Sequence, residues 1–132
     1  MTFKQELQRL NNDILVSQKK ELELTGKLMK ARRELEKGKD SLAKAITERE
    51  NHVIQEDTQY AETCKNDTAR KAYLKNAVNN DKYITSVKDV LDENVKNVNM
   101  TELELQETKL NRKYAERELD IGLTLLKAGI TE

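Results

Sequence analysis

The sequence predicts an all-α fold: an elongated antiparallel helical hairpin, or coiled coil, in one domain over residues 1–132. Two long helices are expected over about residues 3–64 and 81–128, with a short helix over about 68–78 at the corner. Three observations carry this. Apolar residues recur every seven positions through both long segments. Proline is absent, so nothing in the chain forbids long helices. Between the two segments lies one polar stretch, "CKNDTARKAYLKNAVNNDKY", rich in the residues that cap helices and make turns.

In the first segment one seam position holds Leu7, Ile14, Glu21, Leu28, Leu35 and Leu42. Its companion holds Phe3, Leu10, Ser17, Leu24, Ala31, Gly38 and Ala45. A 3.5-residue average spacing is the mark of a coiled-coil seam, here with polar lapses at Glu21 and Ser17. The stripe then shifts to Ile46, Val53, Tyr60 and Cys64, a four-residue stutter that locally unwinds a supercoil. In the last segment the seam runs through Ile84, Leu91, Val98, Leu105, Arg112, Leu119 and Leu126. Its companions are Val87, Asn94, Thr101, Thr108, Ala115 and Gly122. Small residues at Ala31, Gly38 and Ala45 and at Thr108, Ala115 and Gly122 are expected to meet and let the two backbones approach.

The corner follows from local chemistry. Asn66 and Asp67 are capping residues, and Asp81 is placed to cap the last helix. Ala72, Tyr73, Leu74, Ala77 and Val78 make one apolar side of the short helix, which would close the end of the seam. The corner reads as a capped elbow or, alternatively, as a contact tip displaying Arg70, Lys71, Tyr73 and Tyr83.

A two-helix hairpin needs one apolar seam per helix, and this chain has more. Leu15, Leu22 and Met29 form a second row about 100° around the first helix from the Leu7–Leu42 row. Met100, Leu103, Leu110, Tyr114 and Ile121 form another on the last helix, nearly opposite its seam. Apolar surface of this extent marks an interface. These eight residues are the candidate protein interface, either with further copies of the chain, as a dimer or higher oligomer, or with a different protein.

Charge and composition narrow the classes. The chain carries 24 basic and 24 acidic residues, without the net positive footprint of a nucleic-acid binder. A local strip of Lys27, Lys30, Arg32, Arg33, Lys37, Lys39 and Lys44 reads as a solvated face, with a nucleic-acid backbone as the alternative partner. Glu56, Asp57 and Glu62 before the corner and Asp89, Asp92 and Glu93 after it would gather into an acidic patch. The single Cys64 permits no intramolecular disulfide, and no apolar run approaches the ~18 residues of a membrane span. A cytoplasmic protein is expected. The lone His52 has no Glu-x-x-His partner pattern, and the four glycines form no phosphate loop. No enzyme, cofactor or metal site is expected.

At "KNDTARKAYLKNAVNNDKY" and beyond, the sequence resembles small helical coiled-coil accessory proteins of phages and mobile elements. Those have a long N-terminal helix, an Asn-x-x-x-Arg-Lys-x-x-Leu corner, an Asp-x-x-Tyr step and a heptad-rich helix ending in an Arg-containing, Leu-rich segment. Asn66, Arg70, Lys71, Leu74, Asp81 and Tyr83 correspond, with Asp81 displaced relative to Tyr83, and "KLNRKYAERELDIGLTLL" follows. The resemblance covers about half the chain, mainly residues 64–126. It implies a phage-type accessory protein, often encoded among recombination or early genes, and no particular activity. The function expected of the chain is a non-enzymatic protein-binding module that binds or inhibits a host or phage protein in the host cytoplasm. A self-assembling scaffold or a nucleic-acid-binding accessory protein are the alternatives.

Overall fold

The computed structural model describes residues 2–129; Met1 and residues 130–132, which the single-domain expectation includes, lie outside the described residues. The described chain is helical, without strands, in the order α1 (Phe3–Glu56), α2 (Thr58–Thr63), α3 (Asp67–Asn79) and α4 (Lys82–Lys127). The long helices α1 and α4 pack against each other as a helical hairpin, with the two short helices between them in sequence. The packing divides into two compact units, Ala31–Asn97 and Met1–Lys30 with Val98–Glu132.

In the unit that holds the corner, Ala45, Val78 and Ile84 form a buried cluster, with Leu42 and Ile46 packed against it. One residue each from α1, α3 and α4 therefore closes that end of the seam. Ile84 and Val53 are the most completely buried large side chains, at 1% exposure. Removing such a side chain from water contributes roughly 1.5–3 kcal/mol. On α1 Gly38 lies against Leu91, and a Cβ there would sit 3.2 Å from a Leu91 methyl and 2.8 Å from the Asn94 amide nitrogen.

In the other unit Leu10, Ile14, Leu24 and Leu28 of α1 and Val98 and Leu105 of α4 are buried. Thr101 and Thr108 are buried too; the Thr108 hydroxyl donates to the Glu104 carbonyl of its own helix at 2.9 Å. Gly122 lies against Leu7 and Phe3, so close that a Cβ would collide with the Leu7 methyl.

These contacts correct one expectation. The small residues of the two helices do not meet one another. Gly38 faces Leu91, Ala45 faces Ile84 and Gly122 faces Leu7, each pair adding to 129. An antiparallel seam with that register sets the small residues of one helix across from the large residues of the other. Each small position is then a recess that a large side chain fills, which is how facing layers interdigitate without voids.

The first long helix ends at Glu56, short of the expected residue 64. Asp57 leaves helical geometry (φ −84°, ψ 111°), and its carboxylate accepts the Tyr60 N–H at 3.1 Å, starting the six-residue α2. A short acidic side chain that bonds its own downstream backbone competes with helix continuation. The same device recurs twice. Asn66 accepts the Ala69 N–H at 2.7 Å to cap α3, and Asp81 accepts the Ile84 N–H at 3.0 Å to cap α4. At its far end α4 stops where Gly129 takes φ 81° and donates its N–H to the Leu126 carbonyl, a left-handed cap that glycine adopts without strain.

Gly26 is different: it sits exposed in mid-helix, with open space where a Cβ would project. Gly26→Ala is expected to stabilise the protein by about 0.5–1 kcal/mol, read as a raised urea midpoint.

Candidate protein-binding faces

The two extra apolar rows stay open after the hairpin has closed. Leu15, Leu22 and Met29 on α1, and Met100, Leu103, Leu110, Tyr114 and Ile121 on α4, are all between 51% and 76% exposed. Every residue of the two predicted seams, by contrast, is buried or half-buried among the described residues. The cause is angular. Leu15, Leu22 and Met29 lie about 100° from the Leu7 row, beyond the reach of a single partner helix. On α4 the row lies about 140–200° from the Ile84–Leu126 row, on the outward side. All eight residues belong to the unit formed by Met1–Lys30 and Val98–Glu132.

Beneath these faces an ionic cluster occupies the seam. Arg112 of α4 reaches Glu21 of α1 with two parallel bonds, Nε to Oε2 at 2.5 Å and Nη2 to Oε1 at 3.1 Å. Its Nη1 donates to Glu116 at 2.7 Å. The side chains of Arg112 and Glu21 are only 24% and 13% exposed. Hydrogen bonds to Glu21 first, and then to Glu116, hold the guanidinium pKa above its already high ordinary value. Both residues are seam positions, so the polar lapse in one heptad repeat answers the lapse in the other. A single polar pair in an apolar seam sets register, because any slip strands one charge. Lys20 and Glu104, 3.8 Å apart, add a second link between the helices at the surface.

At the corner, Tyr73 donates its hydroxyl to Asp57 Oδ2 at 2.8 Å, and its ring lies 5.7 Å from that of Tyr60. Arg70 donates from Nε to the Cys64 carbonyl at 3.3 Å and lies 3.5 Å from Asp67. Of the four corner candidates, then, Arg70 and Tyr73 spend their polar atoms on holding the corner, while Lys71 and Tyr83 stay exposed. Asp57, a member of the expected acidic patch, is likewise engaged in the elbow. Cys64 is buried, and His52 lies on the surface 3.2 Å from Glu56, one turn on. Ala72, expected on the apolar side of α3, is exposed, whereas Val78 is buried.

The Asp57–Tyr73 bond responds to pH at both extremes. The Tyr73 hydroxyl and then the Tyr60 N–H lower the Asp57 pKa, and Asp57 raises that of Tyr73. A lowered carboxylate pKa stabilises the fold above the unfolded value near ~4, and the contribution disappears as pH falls through the folded value. A raised phenol pKa stabilises the fold below ~10, and that contribution disappears as pH rises through the folded value. Tyr73→Phe is expected to remove the alkaline effect and to weaken the acid one, part of which the Tyr60 N–H keeps. In a spectrophotometric titration, the tyrosinate absorbance lost on this substitution should appear above ~pH 10. A lost component titrating at or below that value would contradict the bond.

The seven basic residues of the 27–44 strip are all exposed. Lys37 and Lys39 pair with Glu34 and Glu36 on their own helix, at 3.7 and 3.4 Å. Beside this stretch Gly38, Ser41, Tyr83, Ser86 and Val90 border an open groove of about 420 Å³. Asn94 closes one side of it, donating from Nδ2 to the Glu34 carbonyl at 3.2 Å. Among the described residues no three His, Cys, Asp or Glu side chains group as a metal site would need, and no helix is long and apolar enough to cross a membrane.

Sequence reasoning placed Glu21 and Arg112 in the seams without pairing them. The signal was available once an antiparallel register is assumed, since both fall where a leucine should stand. The Asp57–Tyr73 bond carried no such signal, because its partners lie sixteen positions apart with α2 and the turn after it between them. Comparison with known protein families, characterised proteins and solved structures finds no match.

Proposed function

We propose that this chain is a non-enzymatic protein-binding coiled-coil module, an accessory protein of the phage type. Acting in the host cytoplasm, it binds or inhibits a host or phage protein such as a nuclease, recombination or defence factor. The observation that carries this reading is the pair of apolar rows left more than half exposed on a hairpin whose seams are already filled. Water disfavours such a surface, and a helix-face partner removes it from water. The resemblance of residues 64–126 to phage accessory proteins supplies the biological setting. Leu15, Leu22 and Met29 offer the shorter row, at the i, i+7 spacing of a helix-in-groove contact.

The test is capture of proteins from a bacterial host lysate by the immobilised chain, with Leu22→Glu and Leu103→Glu/Leu110→Glu as comparisons. A protein retained by the wild type and lost by either variant, with far-UV circular dichroism unchanged, is the expected result. Retention by both variants would move the site away from the rows. A second reading, a self-assembling scaffold, is favoured by the residue pattern of the α4 row.

A further inference from the structure

We infer that the α4 row is the interface with a second copy of this chain, the two α4 helices lying antiparallel about a twofold axis near residue 112. The inference rests on the reading of these rows as protein-binding faces and assigns one of them an occupant. Within the outward face of α4 the residues that can form a seam are Met100, Leu103, Glu107, Leu110, Tyr114, Arg117, Ile121 and Thr124, all exposed and at alternating three- and four-residue steps. In an antiparallel pair, positions on the two copies meet when their numbers add to a constant. Taking that constant as 224 puts Ile121 on Leu103 of the second copy, Tyr114 on Leu110, and Glu107 on Arg117. Each contact occurs twice by symmetry. From residue 103 to 121 apolar residues meet apolar residues and the two charges meet their opposites, while at each end Met100 falls on Thr124.

Neighbouring registers fail. A shift of one heptad either way sets Leu110 against Glu107 or Tyr114 against Arg117. A parallel pair sets Glu107 on Glu107 and Arg117 on Arg117. Glu107 and Arg117 are both exposed, and among the described residues neither has an ion-pair partner within its own chain. The flanks are compatible with this choice. Glu104 and Glu118 would approach one another, but Lys20 lies 3.8 Å from Glu104 and Arg9 carries a favourable charge interaction with Glu118. Lys113 meets its own copy near the axis, where its long stem lets the ammonium turn to solvent. Self-pairing through α4 leaves the Leu15 row, on the other helix, open for a different protein.

The charges make the test specific. Glu107→Arg and Arg117→Glu, each alone, place like charges at two symmetric contacts and should raise the dimer dissociation constant by roughly tenfold or more in sedimentation equilibrium. The double variant Glu107→Arg/Arg117→Glu restores opposite charges and should return it to the wild-type value. Leu110→Glu should give monomer, and far-UV circular dichroism verifies that each variant remains helical. A monomeric wild type, single variants that dimerise as tightly as the wild type, or a double variant that fails to recover would each overturn the assignment. None of these outcomes touches lysate capture by the Leu15 row, so the two readings fail separately.

Discussion

Ile84→Ala is expected to lower the free energy of unfolding by about 2–5 kcal/mol, the cost of emptying a closed aliphatic site. Against a typical total of ~5–15 kcal/mol this is a large fraction. The size follows from what Ile84 holds. It is 1% exposed, stands on Ala45 of α1 and Val78 of α3, and begins the apolar seam of α4. Its backbone N–H takes the Asp81 cap and is unchanged by the substitution, so the loss reports packing alone. Val90→Ala, on the same helix but 59% exposed, should shift stability by no more than about 0.5 kcal/mol. Urea unfolding followed by circular dichroism reads both. Equal shifts would mean that α3 does not close the seam at the corner.

Arg112→Glu should be the most damaging charge substitution in the chain. It would set three carboxylates together, at positions 21, 112 and 116, with the first of them mostly shielded from water. A larger drop in urea midpoint is expected than for reversal of the exposed Lys113. Swapping the pair, Glu21→Arg with Arg112→Glu, should recover much of the loss, because the bidentate contact can form in reverse. The doubly apolar Glu21→Leu/Arg112→Leu is expected to match or exceed wild-type stability while relaxing the choice of register, since ion pairs in seams specify more than they stabilise. If the swap recovers nothing, the pair is not the register pin.

The heptad pattern made the seams legible. Every seam residue from Phe3 to Ala45 and from Ile84 to Leu126 is buried or half-buried, because a seven-residue repeat on a helix leaves no alternative face. The exposed rows were legible for the same reason: residues such as Leu22 and Leu110 fall off the seam by angle alone. What the repeat does not encode is register. Gly122 could have met Ala31 or Leu7, and it meets Leu7 in a fold whose chain reverses through α2 and α3 and whose seam holds the Glu21–Arg112 pair. The break at Asp57 was hidden because the apolar stripe continues through Tyr60 to Cys64, while a side-chain cap and one distant tyrosine end the helix. The pairing of Glu21 with Arg112 waited on the same register.

Absolute mass by light scattering over a hundredfold dilution tests most directly whether the open rows are binding surfaces that the chain itself uses. Twice the 15.3 kDa chain mass, falling only at the lowest concentrations, is the expected result. A mass of 15.3 kDa at every concentration would contradict self-pairing through α4 and leave both rows to a different protein.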